Sequence, residues 1–357
     1  MCQSPAPILI ITGMHRSGTS VVAAALASAG LHVGSRLMPG GRGNPRGHFE
    51  DLDFVSLHER ILRANGIGTE GFTTATEIPV PPSLADEAVL LVEQRRLGQT
   101  LWGWKDPRTT LFLEWWARLL PEARFLLLFR GPAEVIDSLF RRGDDTFSLN
   151  PGFALDVWSA YNRRIHDFQR AYPDRCHLAA AETAVADPRS LVAAVRDRWG
   201  FPLGEPAGVA DPHLFRHRLD LSRRSLVAHG RPAALELHAT LLAAAGLPPD
   251  PKTEQPRDPV SLAMAEWARG SSLESRASTA ETELAEARAR AETLAQELAA
   301  ARRELARLES AERRASRRPL PARISREARR LARQAGWFGS DVARAKPVPE
   351  ATPRRWQ

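Results

Sequence analysis

The sequence predicts an α/β fold: a three-layer parallel sheet flanked by helices, followed by a C-terminal coiled-coil helix and a basic tail. From residue 7 to about 250, short β-like runs alternate with helical patterns, the order a parallel sheet with crossover helices requires. One of these runs, residues 124–129, is apolar on both faces, as a central strand covered on each side must be. Beyond a proline-rich spacer, Leu and Ala recur at alternating steps of four and three for about five heptads. The expected boundaries are an α/β domain over 1–250, a linker and coiled-coil helix over 251–312, and the tail over 313–357.

In chain order, strands are expected at 7–12, 101–105, 124–129 and 175–179. Helices are expected at 18–30, 108–119, 133–142, 153–171 and 188–199. Pro132 suits a first helical position, where the missing N–H costs nothing. The spacer (Leu247-Pro-Pro-Asp-Pro, then Pro256 and Pro259) closes the domain. The heptad seam runs from Leu273 through Ala277, Ala280 and Leu284 to Leu305 and Leu308, with Glu and Arg dominating between. A homo-oligomer follows if the seam pairs; a single solvated helix held by Glu–Arg pairs is the alternative. In the tail, a second Arg-rich helical pattern spans Ile324 to Trp337. It fits peripheral contact with anionic lipid or an acidic partner, or plain solvation.

The composition excludes several classes. With 357 residues, 43% hydrophobic and 25% charged, the chain can bury an ordinary core, so neither global disorder nor a collagen-like fibre fits. No apolar run reaches the roughly 18 residues a spanning helix needs. No basic region precedes the short apolar run Ile8 to Ile11, so no secretory signal is expected. Two cysteines, Cys2 and Cys176, make no disulfide framework, and neither has a metal-ligand neighbour at useful spacing. The expected compartment is the cytoplasm, with the tail allowing a place at the inner face of the membrane. The net charge of +7 is uneven: residues 313–357 hold 13 basic against 3 acidic groups, leaving 36 against 39 in the rest. The main body is slightly acidic, which argues against nucleic acid as a partner.

Gly13-Met-His-Arg-Ser-Gly-Thr-Ser20 follows the first strand and opens an Ala-rich helix. Such a loop gathers free backbone N–H groups and the positive helix end around an anion. Its glycine spacing matches G-x-x-x-x-G-K-[ST], which makes the fold class P-loop-like. The lysine is replaced by Thr19, which argues against ordinary ATP or GTP hydrolysis, and Arg16 offers a cation from inside the loop.

Met14–Ser20 resembles the 5′-phosphosulfate loop of sulfotransferases that use 3′-phosphoadenosine 5′-phosphosulfate (PAPS), whose loop reads Arg/Lys-x-Gly-Thr-[ST]. The resemblance implies PAPS as donor, with Arg16, Ser17, Gly18, Thr19 and Ser20 around its 5′ end. A second segment, Phe129-Arg-Gly-Pro-Ala-Glu-Val-Ile-Asp-Ser-Leu-Phe-Arg-Arg142, ends a strand and starts a helix. That place in the family carries an Arg and, eight residues on, a Ser that bind the 3′-phosphate. Arg130 and Ser138 have this spacing, and Arg142 lies one helical turn beyond Ser138 on the same face. Arg suits a phosphate because its planar fork binds bidentately.

Sulfuryl transfer needs a base for the acceptor hydroxyl and a cation for the bridging oxygen. In Gly47-His-Phe-Glu-Asp51, Glu50 resembles the base of tyrosylprotein and some carbohydrate sulfotransferases, and His48 is the alternative. Glu50 and Asp51 also fit a plain helix N-terminus. Trp104-Lys-Asp-Pro-Arg108 resembles a Lys-Asp-Pro stretch of tyrosylprotein sulfotransferases, which assigns Lys105 to charge stabilisation; Arg108 stays open between donor and acceptor. Further along, Trp158–Asn162 and Ala181–Pro188 resemble later family segments, with Ala181 in place of the usual Tyr; the aromatics at 158 and 161 read as core. No divalent metal is implied. The expected function is sulfuryl transfer to an acceptor hydroxyl, favoured on a carbohydrate, with peptide tyrosine or a lipid head group open. A P-loop small-molecule kinase using ATP and magnesium, or a non-catalytic nucleotide-binding coiled-coil adaptor, are the rivals.

Overall fold

The computed structural model describes residues 6–40, 47–207, 221–249 and 259–316, together with 327, 330, 331 and 334. Of the amphipathic helix expected over 324–337 only residues 327, 330, 331 and 334 are described, each helical, and most of the tail lies outside the described residues. Contacts divide the chain into two units, Met1–Arg269 and Gly270–Gln357.

Strands form at Ile8–Gly13 (β1), Trp102–Lys105 (β2), Arg124–Phe129 (β3) and Cys176–Ala180 (β4). They make one parallel sheet in the order β2-β1-β3-β4. Ile10 pairs with Trp104 on one side and Phe125 on the other, so β1 is central. Alternation along the strands sorts the core into two layers. Ile8, Ile10, Trp102, Trp104, Phe125, Leu127 and Phe129 face one cluster. Leu9, Ile11, Leu126 and Leu128 face the other. Burying each such side chain contributes about 1.5–3 kcal/mol.

The helices are α1 (Thr19–Ser28), α2 (Leu52–Ala64), α3 (Pro82–Arg96), α4 (Leu113–Leu119), α5 (Pro132–Arg142), α6 (Asp145–Leu149), α7 (Pro151–Ala171), α8 (Ala181–Ala186), α9 (Pro188–Trp199), α10 (Leu221–Gly230), α11 (Pro232–Ala244) and α12 (Pro259–Ser316). Against one face of the sheet pack α2, α3, α4 and α7; against the other pack α1 and α9. Together these are the three layers expected. Pro132 opens α5, and Gly143 ends it at φ 80°, a left-handed position that suits glycine. The Asp187 carboxylate accepts from the Ser190 amide at the start of α9.

One expected helix is corrected. Residues 108–119 divide into a 3-10 turn, Pro107–Phe112, followed by the shorter α4. Two local ties account for the tight turn. The Asp106 carboxylate accepts from the Arg108 amide, and the Thr110 hydroxyl meets that of Thr12 on β1 at 2.8 Å. The latter anchors the turn to the neighbouring strand, which a free α-helical start would not permit.

The second unit contains most of α12, a single 58-residue helix. Its seam leucines, Leu273, Leu284, Leu294, Leu298, Leu305 and Leu308, are more than half exposed.

Candidate active site

The carboxyl ends of all four strands supply the site, where open parallel sheets place their ligands. The end of β1 passes into the loop Met14–Gly18, and Gly13 must be glycine because a Cβ there would run into the Leu128 carbonyl of β3. Arg16 and Gly18 hold positive φ, 68° and 75°. Gly18 adopts this at no steric cost, whereas Arg16 carries strain of the kind found at functional loops. Thr19 and Ser20 open α1, so their amides have no carbonyl one turn back. The Ser17 hydroxyl is fully buried and has no hydrogen-bond partner among the described residues. A buried orphan hydroxyl costs about 1–3 kcal/mol, which a ligand oxygen would relieve.

Across the loop, Arg130 follows β3 and donates from Nη1 to the Arg16 carbonyl at 3.1 Å. Arg16 in turn donates from Nε to the Ser138 hydroxyl at 2.9 Å. The two sequence segments therefore meet, 122 residues apart. Burial lowers the Arg16 pKa first, and the neighbouring Arg142, Arg130 and Arg141 lower it further. Burial lowers Arg130 as well, against the pull of Glu182 and Glu134. Several guanidinium groups thus crowd one partly buried place, an arrangement that favours a bound anion. Arg142 ends α5 and pairs with Asp144 at 2.6 Å and Glu70 at 3.4 Å, on the rim of this cluster.

The second half of the site lies where β2 ends. Lys105 is 1% exposed, and its ammonium sits 2.5 Å from Glu50 Oε1 and 3.3 Å from the Ser20 hydroxyl. Burial lowers the Lys105 pKa, while Glu50 and Asp106 pull it back up. Arg108 Nη1 stands 3.6 Å from the other Glu50 oxygen and 3.0 Å from Asp106. Arg108 therefore belongs to the carboxylate side of the site. Glu50 is 6% exposed and faces these cations, whereas its neighbour Asp51 does the capping. The Asp51 carboxylate accepts from the Asp53 amide at 3.0 Å and pairs with Arg95 at 2.7 Å. Asp51 alone takes the helix-start role that the sequence left open for both. Between His48 and Glu50, Phe49 holds φ 55° and adds strain at the entry to Glu50. His48 is half-buried in the same field. Burial lowers its pKa, Glu50 raises it, and Lys105, Arg16 and Arg142 lower it again.

Sequence reasoning missed the support beneath these groups. Trp116 can only donate, and its indole N–H lies 3.0 Å from His58 Nε2. His58 therefore carries its proton on Nδ1 and donates it to Asp106 Oδ2 at 2.8 Å. Asp106 accepts from the Arg108 amide and guanidinium with its other oxygen. Arg108 and His58 hold its carboxyl below the usual range against the opposing effect of burial. Glu182, 3.5 Å from Arg130 Nε, was also missed; only its place after the fourth strand could have signalled it. His15, inside the loop, donates from Nε2 to the Glu70 carbonyl at 2.9 Å. Trp158 and Tyr161 are fully buried, each bonded to a backbone carbonyl, of Arg130 and Gly71 respectively. Among the described residues no three His, Cys, Asp or Glu side chains converge as metal ligands, and no helix is long and apolar enough to cross a membrane.

A parallel sheet with a glycine-bearing loop after its first strand and a cluster of arginines after its third is the α/β frame on which this site is built. The chain belongs to the sulfotransferase family, whose model matches residues 7–205. No curated protein matches it at a significant level. Among solved structures it is similar to the sulfotransferase domain of the Synechococcus PCC 7002 olefin synthase, at 20% identity over 70% of this chain and 98% of that one, TM-score 0.39. A sulfotransferase from Mycobacterium tuberculosis H37Rv matches at 17% identity, over 66% and 77% of the two chains, TM-score 0.40. One from Alicyclobacillus acidocaldarius matches at 14% identity, over 69% and 98%, TM-score 0.42.

Proposed function

We propose that the protein moves the sulfuryl group of PAPS to an acceptor hydroxyl, on a carbohydrate, with Glu50 as base and Lys105 stabilising charge. The observation that carries this reading is the Lys105 ammonium, which touches both Glu50 and the Ser20 hydroxyl of the anion loop. One buried cation thereby links a carboxylate to the place where an anionic donor would end. In this reading the loop amides, Arg16 and the unpartnered Ser17 hydroxyl hold the donor's 5′ end, and Arg130, Ser138 and Arg142 its 3′-phosphate.

Glu50 accepts the acceptor's proton as the acceptor oxygen bonds to sulfur. The bond between sulfur and the bridging oxygen breaks, and Lys105 faces the negative charge collecting on that oxygen. The products are a sulfate ester and adenosine 3′,5′-bisphosphate. In this reading the Glu50 carboxylate takes the proton from its place between Lys105 at 2.5 Å and Arg108 at 3.6 Å. The cytoplasm is the compartment of this reading, consistent with Cys176 as a buried thiol whose pKa burial pushes up to about 12. Such a thiol is inert as a nucleophile.

The test is calorimetric titration of adenosine 3′,5′-bisphosphate without metal, beside ADP, and ATP with magnesium. Binding that requires the 3′-phosphate, and that Arg130→Ala weakens by about tenfold to a hundredfold, supports the reading. Preference for ATP with magnesium would replace it by the kinase reading. With the donor established, turnover on carbohydrate against peptide-tyrosine acceptors decides the acceptor class.

A further inference from the structure

The heptad seam of α12 leaves its leucines exposed on a helix more than fifty residues long. A soluble helix normally buries such a stripe, so the seam requires an occupant. The charges beside it say which. With Ala277, Leu284, Ala291, Leu298 and Leu305 at one seam position, and Ala280, Ala287, Leu294, Ala301 and Leu308 at the other, the flanking residues follow from the repeat.

In two parallel chains set in register, each flanking residue meets the one five positions later on the other chain. Arg276 then meets Glu281, Glu283 meets Arg288, and Glu297 meets Arg302, each twice by symmetry. Arg290 meets Ala295, which is neutral. Glu304 meets Glu309, the single like-charged contact.

The pairs formed within the single helix are complementary to this set. Among the described residues, Arg276, Glu281, Glu283, Arg288, Glu297 and Arg302 make no ion pair in their own chain. By contrast, Glu304 pairs with Arg307 and Glu309 with Arg313. The two glutamates that would repel across the seam are thus neutralised locally, and the six residues that would attract are left available. Five of those six lack any oppositely charged residue three or four positions away on their own helix. A centred antiparallel pairing instead sets Glu283 against Glu297 and Arg288 and Arg290 each against its own copy, which offsets its attractive Arg276–Glu304 and Glu274–Arg302 contacts.

We propose that the seam of α12 is closed by a second copy of this chain, parallel and in register, with Arg276–Glu281, Glu283–Arg288 and Glu297–Arg302 as its interchain pairs. Both chains then run from α/β unit to tail in the same direction. Direction and register are selected by the charges, because an Ala-rich seam discriminates weakly between them.

The experiment uses the full chain with Cys2→Ser, carrying Ala277→Cys or Ala301→Cys, under mild oxidation, with mass read by light scattering. A dimeric mass, with each variant cross-linking to itself, is expected. A monomeric mass at micromolar concentration overturns the proposal, whether the seam is then solvated or taken by another protein. A dimer in which Ala277→Cys chains link only to Ala301→Cys chains overturns the parallel direction. Glu283→Arg should raise the dimer dissociation constant about tenfold, and Arg288→Glu in the same chain should restore it. Failure of the double variant to recover would overturn the charge pairing.

Discussion

Replacing Lys105 by methionine removes one ammonium and keeps all but the last atom of the side chain's length. It leaves Glu50 buried opposite Arg108 alone, whose Nη1 lies 3.6 Å from the second carboxylate oxygen. At the 2.5 Å separation of Lys105 and Glu50, and an effective dielectric of about 20, the gross attraction is about 7 kcal/mol. Desolvation of two nearly fully buried ions offsets much of this, and removing one partner of such a pair costs about 3–5 kcal/mol. Arg108 shares the carboxylate, so the lower end, about 3 kcal/mol, is expected for Lys105→Met. Glu50→Gln costs less, because the amide oxygen still accepts from the ammonium. The double variant should be less destabilised than the two singles added, by at least about 1 kcal/mol. Urea unfolding of the four proteins, followed by fluorescence of the buried Trp102, Trp104, Trp116 and Trp158, measures this coupling. Purely additive effects would refute the pair. The same variants test the chemistry: both singles should lose about a hundredfold or more in kcat while adenosine 3′,5′-bisphosphate binding survives in Glu50→Gln. A Glu50→Gln protein with full turnover would shift the base to His48.

Two further outcomes follow from buried groups around the site. Burial, then Arg108 and Arg142, push the His15 imidazole down to about 3, so the folded protein holds it neutral while the unfolded chain takes a proton near 6.5. Its contribution to stability is full above pH 6.5 and declines as pH falls towards 3, by about 2 kcal/mol between 6.5 and 5. His15→Gln should flatten that slope in urea melts, and an unchanged slope would contradict the assignment. His58→Phe keeps an aromatic ring stacked on Phe112 but leaves the Trp116 N–H without its acceptor and Asp106 without one donor. A loss of about 2–4 kcal/mol is expected, and a neutral effect in the same melts would count against the network.

Much of the site was legible because its groups sit beside sequence punctuation. Gly13 and Gly18 bracket the anion loop, Pro132 marks the helix after Arg130, and Lys105 precedes Asp106-Pro107. By its own residue type Glu50 was one of two adjacent acids, and only the family resemblance singled it out. Helix capping and ion pairing both use a carboxylate, and nothing local separates them. Asp51 took the cap because its side chain reaches the Asp53 amide and Arg95, freeing Glu50 to face Lys105. His58 gave no signal, since a buried histidine within an amphipathic helix reads as core until its partners are known.

Alternation of strand and helix patterns, the spacing of loop glycines and the Arg130–Ser138 interval are local properties, so the sequence by itself determined the layered α/β class and the anion loop. The heptad period is local in the same way and determined the long helix. The strand order β2-β1-β3-β4 is not local. A hydrophobic pattern states that a strand is buried, never which strand lies beside it. Only the tertiary structure therefore decided that Lys105 meets Glu50 across 55 residues, that Arg16 meets Ser138 across 122, and that Trp116, His58, Asp106 and Arg108 form one connected support beneath them.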